Sequence, residues 1–185
     1  MSLLAALWLP ILLSAVAVFI VSSVIHMVIK WHAPEYRALA NEDAVRAAIR
    51  SGNPTPGQYV IPHCADMKDM ASDAMLAKYN EGPVGYLTLA ANGAPNIGRS
   101  LGLWFVMSLV IAAIAGYATA RIIGLDGHAH AAAHNVFVIS LLGYGIGSVQ
   151  NAIWWNQPWR STAFYLLDAL LYAAASAAVF LWLWP

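Results

Sequence analysis

The sequence predicts an all-α membrane protein, with four transmembrane helices and a small cytosolic α/β insert between the first and second. Three observations predict this class. Long apolar stretches recur at residues 3–30, 97–121, 133–153 and 162–184, each matching the roughly 20 residues that a helix needs to cross a hydrocarbon core of about 30 Å. All eight tryptophans (Trp8, Trp31, Trp104, Trp154, Trp155, Trp159, Trp182 and Trp184) fall near the ends of these stretches, the level that amphipathic indoles prefer. The composition is 61% hydrophobic and 10% charged, with a mean hydropathy of +0.63, which excludes a soluble globular or disordered chain.

The first stretch resembles a secretory signal only in the small-x-small form of Ala15-Val16-Ala17. No Lys or Arg precedes it, and it is far longer than a signal's apolar region, so a retained first helix is expected. Pro10 sits near its start, where the missing N–H is tolerated. Lys30, Arg37, Arg46, Arg50, Lys68, Lys78 and Arg99 lie between the first two stretches or at their facing ends and Arg160 between the last two, against Arg121 alone on the other side. The positive-inside rule then places both of those connections in the cytoplasm and both termini outside a bacterial inner membrane. Nine basic and nine acidic side chains cancel, which leaves no global field to attract nucleic acid.

Residues 31–96 read as a small αβαβ insert. Asn41 with Glu42-Asp43 forms an N-terminal helix signal, and Gly52-Asn53-Pro54 stops that helix. Residues 58–61 read as a short strand ended by Pro62, and 86–90 read as a second strand before Asn92-Gly93. Between them Asp66 caps an expected helix whose Met67, Met70, Ala74 and Ala77 recur at helical spacing. The insert is too small for a sizeable core of its own. The single cysteine, Cys64, lies within it and reads as an ordinary reduced thiol.

Asp168 is the most informative residue, because an unpaired charge inside a membrane helix costs roughly 2.5 kcal/mol or more. It demands a polar partner. His26 lies near the inner end of the first stretch, and Gln150 and Asn151 end the third at a similar level. If the helices pack as a four-helix bundle, His26, Gln150, Asn151 and Asp168 are expected to form one intramembrane polar layer. That layer serves either as a hydrogen-bonded clamp between helices or as a relay for protons or ions. Small residues at three- or four-residue spacing, Ser108, Ala112, Gly116 and Ala120 on the second stretch and Ser140, Gly143, Gly147 and Asn151 on the third, predict close helix packing or self-association.

Asp126, His128, His130 and His134 gather between the second and third stretches, on the external side. His130 and His134 stand one helical turn apart if the third helix begins early, a spacing that suits zinc or copper. The competing reading is a solvated loop with incidental histidines. No Glu follows the first histidine as in a zinc protease, and a single histidine group cannot build a di-iron centre. A bis-histidine haem needs two histidines at one depth on different helices, whereas His26 is near the inside and the others near the outside. No Ser or Cys has an adjacent base in a recognisable catalytic arrangement. Gly143-Tyr144-Gly145-Ile146-Gly147 follows no strand, so it is no phosphate loop.

The strings Asn41-Glu42-Asp43-Ala44-Val45, Pro56-Gly57-Gln58-Tyr59-Val60-Ile61-Pro62, Gly82-Pro83-Val84-Gly85-Tyr86-Leu87-Thr88, Gln157-Pro158-Trp159, Asp168-Ala169-Leu170-Leu171-Tyr172 and Trp182-Leu183-Trp184-Pro185 run through most of the chain from Ile25 onward. Together they resemble a family of small polytopic bacterial inner-membrane proteins to which no activity is assigned. The resemblance implies a topology and no catalytic role, and it does not include the external histidines. The expected function is that of an oligomeric or complex-forming component among lipids, self-associating or joined to another membrane protein, in small-solute or ion movement. The alternative is a membrane enzyme or metal-dependent factor built on the external histidines or on the His26 and Asp168 layer.

Overall fold

A computed structural model describes residues 3–185. Among the described residues the chain is mostly helical, with a two-stranded sheet and four helices long and apolar enough to cross a membrane: Trp8–Ile29, Ile97–Ile123, Ala129–Trp154 and Trp159–Leu183. At 1.5 Å per residue these helices run about 33–40 Å. It divides into two compact units, one comprising the residues through Tyr36 with Asn96–Ile153 and Gln157–Pro185, the other Arg37–Pro95 with Trp154–Asn156.

In the first unit the four long helices pack in a ring, each against its neighbours in sequence and the fourth against the first. Small residues make the close approaches. Ser108, Ala112, Gly116 and Ala120 are all buried on one stripe of the second helix. A Cβ at Gly116 would lie 2.9 Å from the Phe180 ring, and one at Gly145 would lie 3.0 Å from the Ala169 Cβ. Leu7, Ile11, Ala112, Ala115, Val136, Phe180 and Trp184 fill one end of the ring. The outward faces stay apolar, with Ile20, Leu103, Val110, Ile114, Ile122 and Leu142 exposed.

Two helices change pitch. The first passes into a π-helical turn at Val24–Ile29, and the third does so at Leu142–Ile146 before resuming at Gly147–Trp154. A π turn holds an extra residue and so rotates everything beyond it relative to the α-helical face. The small-residue stripe of the third helix therefore does not run as its spacing predicts: Ser140 is buried and Gly143, Gly147 and Asn151 are exposed, while Gly145 takes the buried position. The third helix also starts at Ala129, ahead of its continuous apolar stretch.

The first helix ends at Lys30, in the left-handed conformation with φ 57°, whose N–H donates to the Ile25 carbonyl at 2.7 Å. Trp31 and His32 then turn into a short 3₁₀ helix at Ala33–Glu35. Left-handed backbone costs a side-chain-bearing residue about 1–2 kcal/mol. Lys30→Gly is expected to preserve or slightly raise the unfolding midpoint of detergent-solubilised protein, and Lys30→Val to lower it.

In the second unit a helix at Glu42–Ser51 opens with acidic Glu42 and Asp43. Strands β1 (Gly57–Ile61) and β2 (Gly85–Leu89) pair antiparallel, with Gly57 opposite Leu89 and Ile61 opposite Gly85. Between them the expected single helix is broken. A 3₁₀ turn covers Met67–Ala71, and a new helix starts at Asp73 because the Ser72 hydroxyl accepts from the Met75 N–H. Met75 is thereby buried and Met67 left exposed. On this small sheet Tyr86 meets Trp155 edge to face at 5.2 Å.

Candidate functional site

The left-handed turn at Lys30 folds Trp31 and His32 back beside the π turn that carries His26. Opposite them the fourth helix presents a buried stripe of Ser161, Asp168, Tyr172 and Ser176. Asp168 stands nine residues beyond the helix start at Trp159 and is 3% exposed. Its two oxygens are separately engaged. Oδ1 accepts from the Trp31 indole N–H at 3.0 Å, and Oδ2 accepts from His32 Nε2 at 2.8 Å. His26 Nε2 lies 4.0 Å from the same Oδ2.

His32 is buried and held on three sides. Its ring stacks on Tyr165 with centroids 4.8 Å apart, meets Phe164 edge to face at 6.0 Å, and lies 5.1 Å from the His26 ring. Its second nitrogen, Nδ1, is 3.2 Å from Glu35 Oε1. That separation is ion-pair range, but neither atom completes a hydrogen bond with any described residue. Trp31 stacks on Phe164, and the Arg160 guanidinium sits 5.4 Å from the centre of that same ring. A cavity of about 280 Å³ lies alongside, lined by Glu35, Tyr36, Gln157, Pro158, Ser161 and Tyr165.

Of the four residues expected in the polar layer, the structure brings His26 and Asp168 together. Gln150 and Asn151 are exposed and make no side-chain hydrogen bond to Asp168. The π turn at Leu142–Ile146 lies between them and the buried face of their helix. The direct partners of Asp168 are instead Trp31 and His32, with Glu35 behind His32, three residues that the sequence places in the insert. The signal for them was the histidine pair flanking an interfacial tryptophan, beside a buried acid that required a donor.

The residues between the second and third long helices sit differently. Asp126, His128, His130 and His134 are all exposed, His130 and His134 on the first turns of the third helix. The Asp126 carboxylate folds back over Gly124, which takes φ +76° and has no room for a side chain there. Among the described residues, the three metal-capable side chains that converge are His26, His32 and Asp168, with ligand atoms within 4.8 Å of one another.

Comparisons with models of known families, with curated proteins and with solved structures found no match to this chain.

Proposed function

We propose that the chain is a multi-pass protein of a bacterial inner membrane, with both termini outside and the 31–96 insert in the cytoplasm. It works as an oligomeric or complex-forming component rather than as an enzyme. The observation that carries the membrane reading is the pairing of four sufficiently long apolar helices with outward faces that remain apolar and exposed. A monomer in water rarely leaves apolar patches of that extent uncovered. The excess of Lys and Arg between the first two helices and at Arg160 supports the orientation.

In this reading the Asp168 group is a latch. It ties the segment leaving the first helix to the fourth, so the membrane unit has a defined exit for the chain before the insert begins. Gly102 and Gly147 have open space where a side chain would be, and small outward residues let a second membrane helix approach closely. Gly147→Leu is expected to shift the detergent-solubilised oligomer toward monomer in light-scattering measurements. An unchanged mass would place self-association elsewhere.

Ion movement is the second reading, and buried Asp168 is the observation that favours it, since acids within membrane helices mark ion paths. Asp168→Asn separates the two. Loss of assembly with the substitution supports the latch; intact assembly with an abolished cation flux in reconstituted vesicles supports conduction. Sidedness is tested by single cysteines in a Cys64→Ser background. Labelling of residues 31–96 from outside intact cells would reverse the orientation.

A further inference from the structure

We propose that His26 Nε2, His32 Nε2 and Asp168 Oδ2 form a binding site for one divalent transition-metal ion of the zinc type. Two imidazole nitrogens and one carboxylate oxygen suit Zn²⁺, Co²⁺ or Fe²⁺ better than Ca²⁺ or Mg²⁺, which take oxygen donors. The spacing fits. Donors around a tetrahedral ion with bonds of about 2.0–2.1 Å stand roughly 3.3 Å apart, and here Asp168 Oδ2 lies 2.8 Å from His32 Nε2 and 4.0 Å from His26 Nε2. An ion entering between them spreads the first pair and draws in the third. His26 can follow, because its side chain is 47% exposed and makes no hydrogen bond among the described residues.

The supporting shell is already built. Trp31 holds Oδ1 of Asp168 and leaves Oδ2 to coordinate. Tyr165 fixes the plane of the His32 ring. The most pointed observation is the buried contact between His32 Nδ1 and Glu35 Oε1. A neutral His32 that donates from Nε2 to Asp168 turns a bare Nδ1 toward a carboxylate oxygen, two acceptors 3.2 Å apart and neither with a hydrogen-bond partner. A metal on Nε2 removes that conflict. It displaces the Nε2 hydrogen, which passes by way of solvent to Nδ1, so the ring stays neutral and its one hydrogen faces Glu35. A ligating histidine whose other N–H meets a carboxylate is the usual arrangement behind a bound metal. A second hydrogen on the ring also removes the conflict, and that state binds no metal.

Asp168 and Glu35 have histidines as their only ion-pair partners among the described residues, so a bound dication would balance the two carboxylates. Three protein donors leave a position open for water or a small anion. The inference stands apart from the membrane reading, since it uses only the internal geometry of the helical unit.

The test is titration of chelator-stripped, full-length protein in detergent with Zn²⁺ by calorimetry and with Co²⁺ by visible absorption. One equivalent per chain is expected, with the Co²⁺ bands of four-coordinate nitrogen and oxygen ligation. His26→Ala, at a half-exposed side chain that leaves the Trp31 and His32 bonds intact, should weaken binding at least tenfold. Glu35→Gln should keep the stoichiometry and weaken binding by about 10–100-fold. The double substitution His130→Ala, His134→Ala should change nothing. Failure of the folded wild-type protein to bind either ion overturns the proposal, and so does binding that is insensitive to His26→Ala, including binding lost only in the His130, His134 double variant.

Discussion

Asp168→Ala is expected to destabilise the helical unit by about 2–6 kcal/mol, because it strands two donors, the Trp31 indole N–H and His32 Nε2, at about 1–3 kcal/mol each. The effect is large because the indole N–H has no other partner within reach among the described residues, and His32 is 7% exposed. Asp168→Asn should cost less, since the amide oxygen still accepts one bond while its NH₂ faces the other donor. Thermal unfolding in detergent checks the order wild type, Asp168→Asn, Asp168→Ala. Trp31 fluorescence should shift to the red in the alanine variant as the indole is released. An alanine variant as stable as wild type would show that the bonds contribute nothing.

Phe180→Ala should be comparably costly, at about 3–5 kcal/mol, the usual range for emptying a buried aromatic site. Phe180 is fully buried at the filled end of the ring and presses on Gly116, where a Cβ would lie 2.9 Å from two of its ring carbons. Gly116→Ala is expected to overpack the same contact, costing about 1–3 kcal/mol. The two changes act on one space, one emptying it and one adding to it. The double variant should therefore be more stable than the sum of the single losses, by about 0.5 kcal/mol or more. Strict additivity would mean that the helices separate rather than share the contact.

Much of the helical architecture is legible in the sequence for direct physical reasons. Apolar runs of membrane length leave little alternative to long helices, and the four-residue spacing of Ser108, Ala112, Gly116 and Ala120 marks a face that the structure buries. The two strands of the insert are legible too, since Pro62 and Asn92-Gly93 bound the segments that become β1 and β2, while their antiparallel pairing comes from the structure. Asp168 announces itself because a charge in an apolar run must be compensated.

His26 beside Asp168 is legible as well, but the acid's hydrogen-bond partners Trp31 and His32 are not, and the reason is local backbone. A π turn has no residue signature in Val24–Ile29, and a left-handed residue is expected to be glycine or asparagine rather than Lys30. Without those two features the chain after the first helix reads as leaving for the insert, and Trp31, His32 and Glu35 fall outside the site. The same failure of regular periodicity operates in the third helix. Extrapolating α-helical spacing through Gly143–Gly147 carries Gln150 and Asn151 to the Asp168 level, whereas the π turn intervenes and both are exposed.

The latch between the end of the first helix and the fourth is tested most directly by a double-mutant cycle on His32 and Asp168, with His32→Ala, Asp168→Asn and the pair compared in detergent unfolding. Residues that share a buried hydrogen bond couple by about 0.5–3 kcal/mol. A coupling within that range, upward of 1 kcal/mol, is the predicted result, with the double variant losing little beyond the worse single one. Losses that add to within about 0.3 kcal/mol would contradict a direct bond between these side chains, and with it the latch.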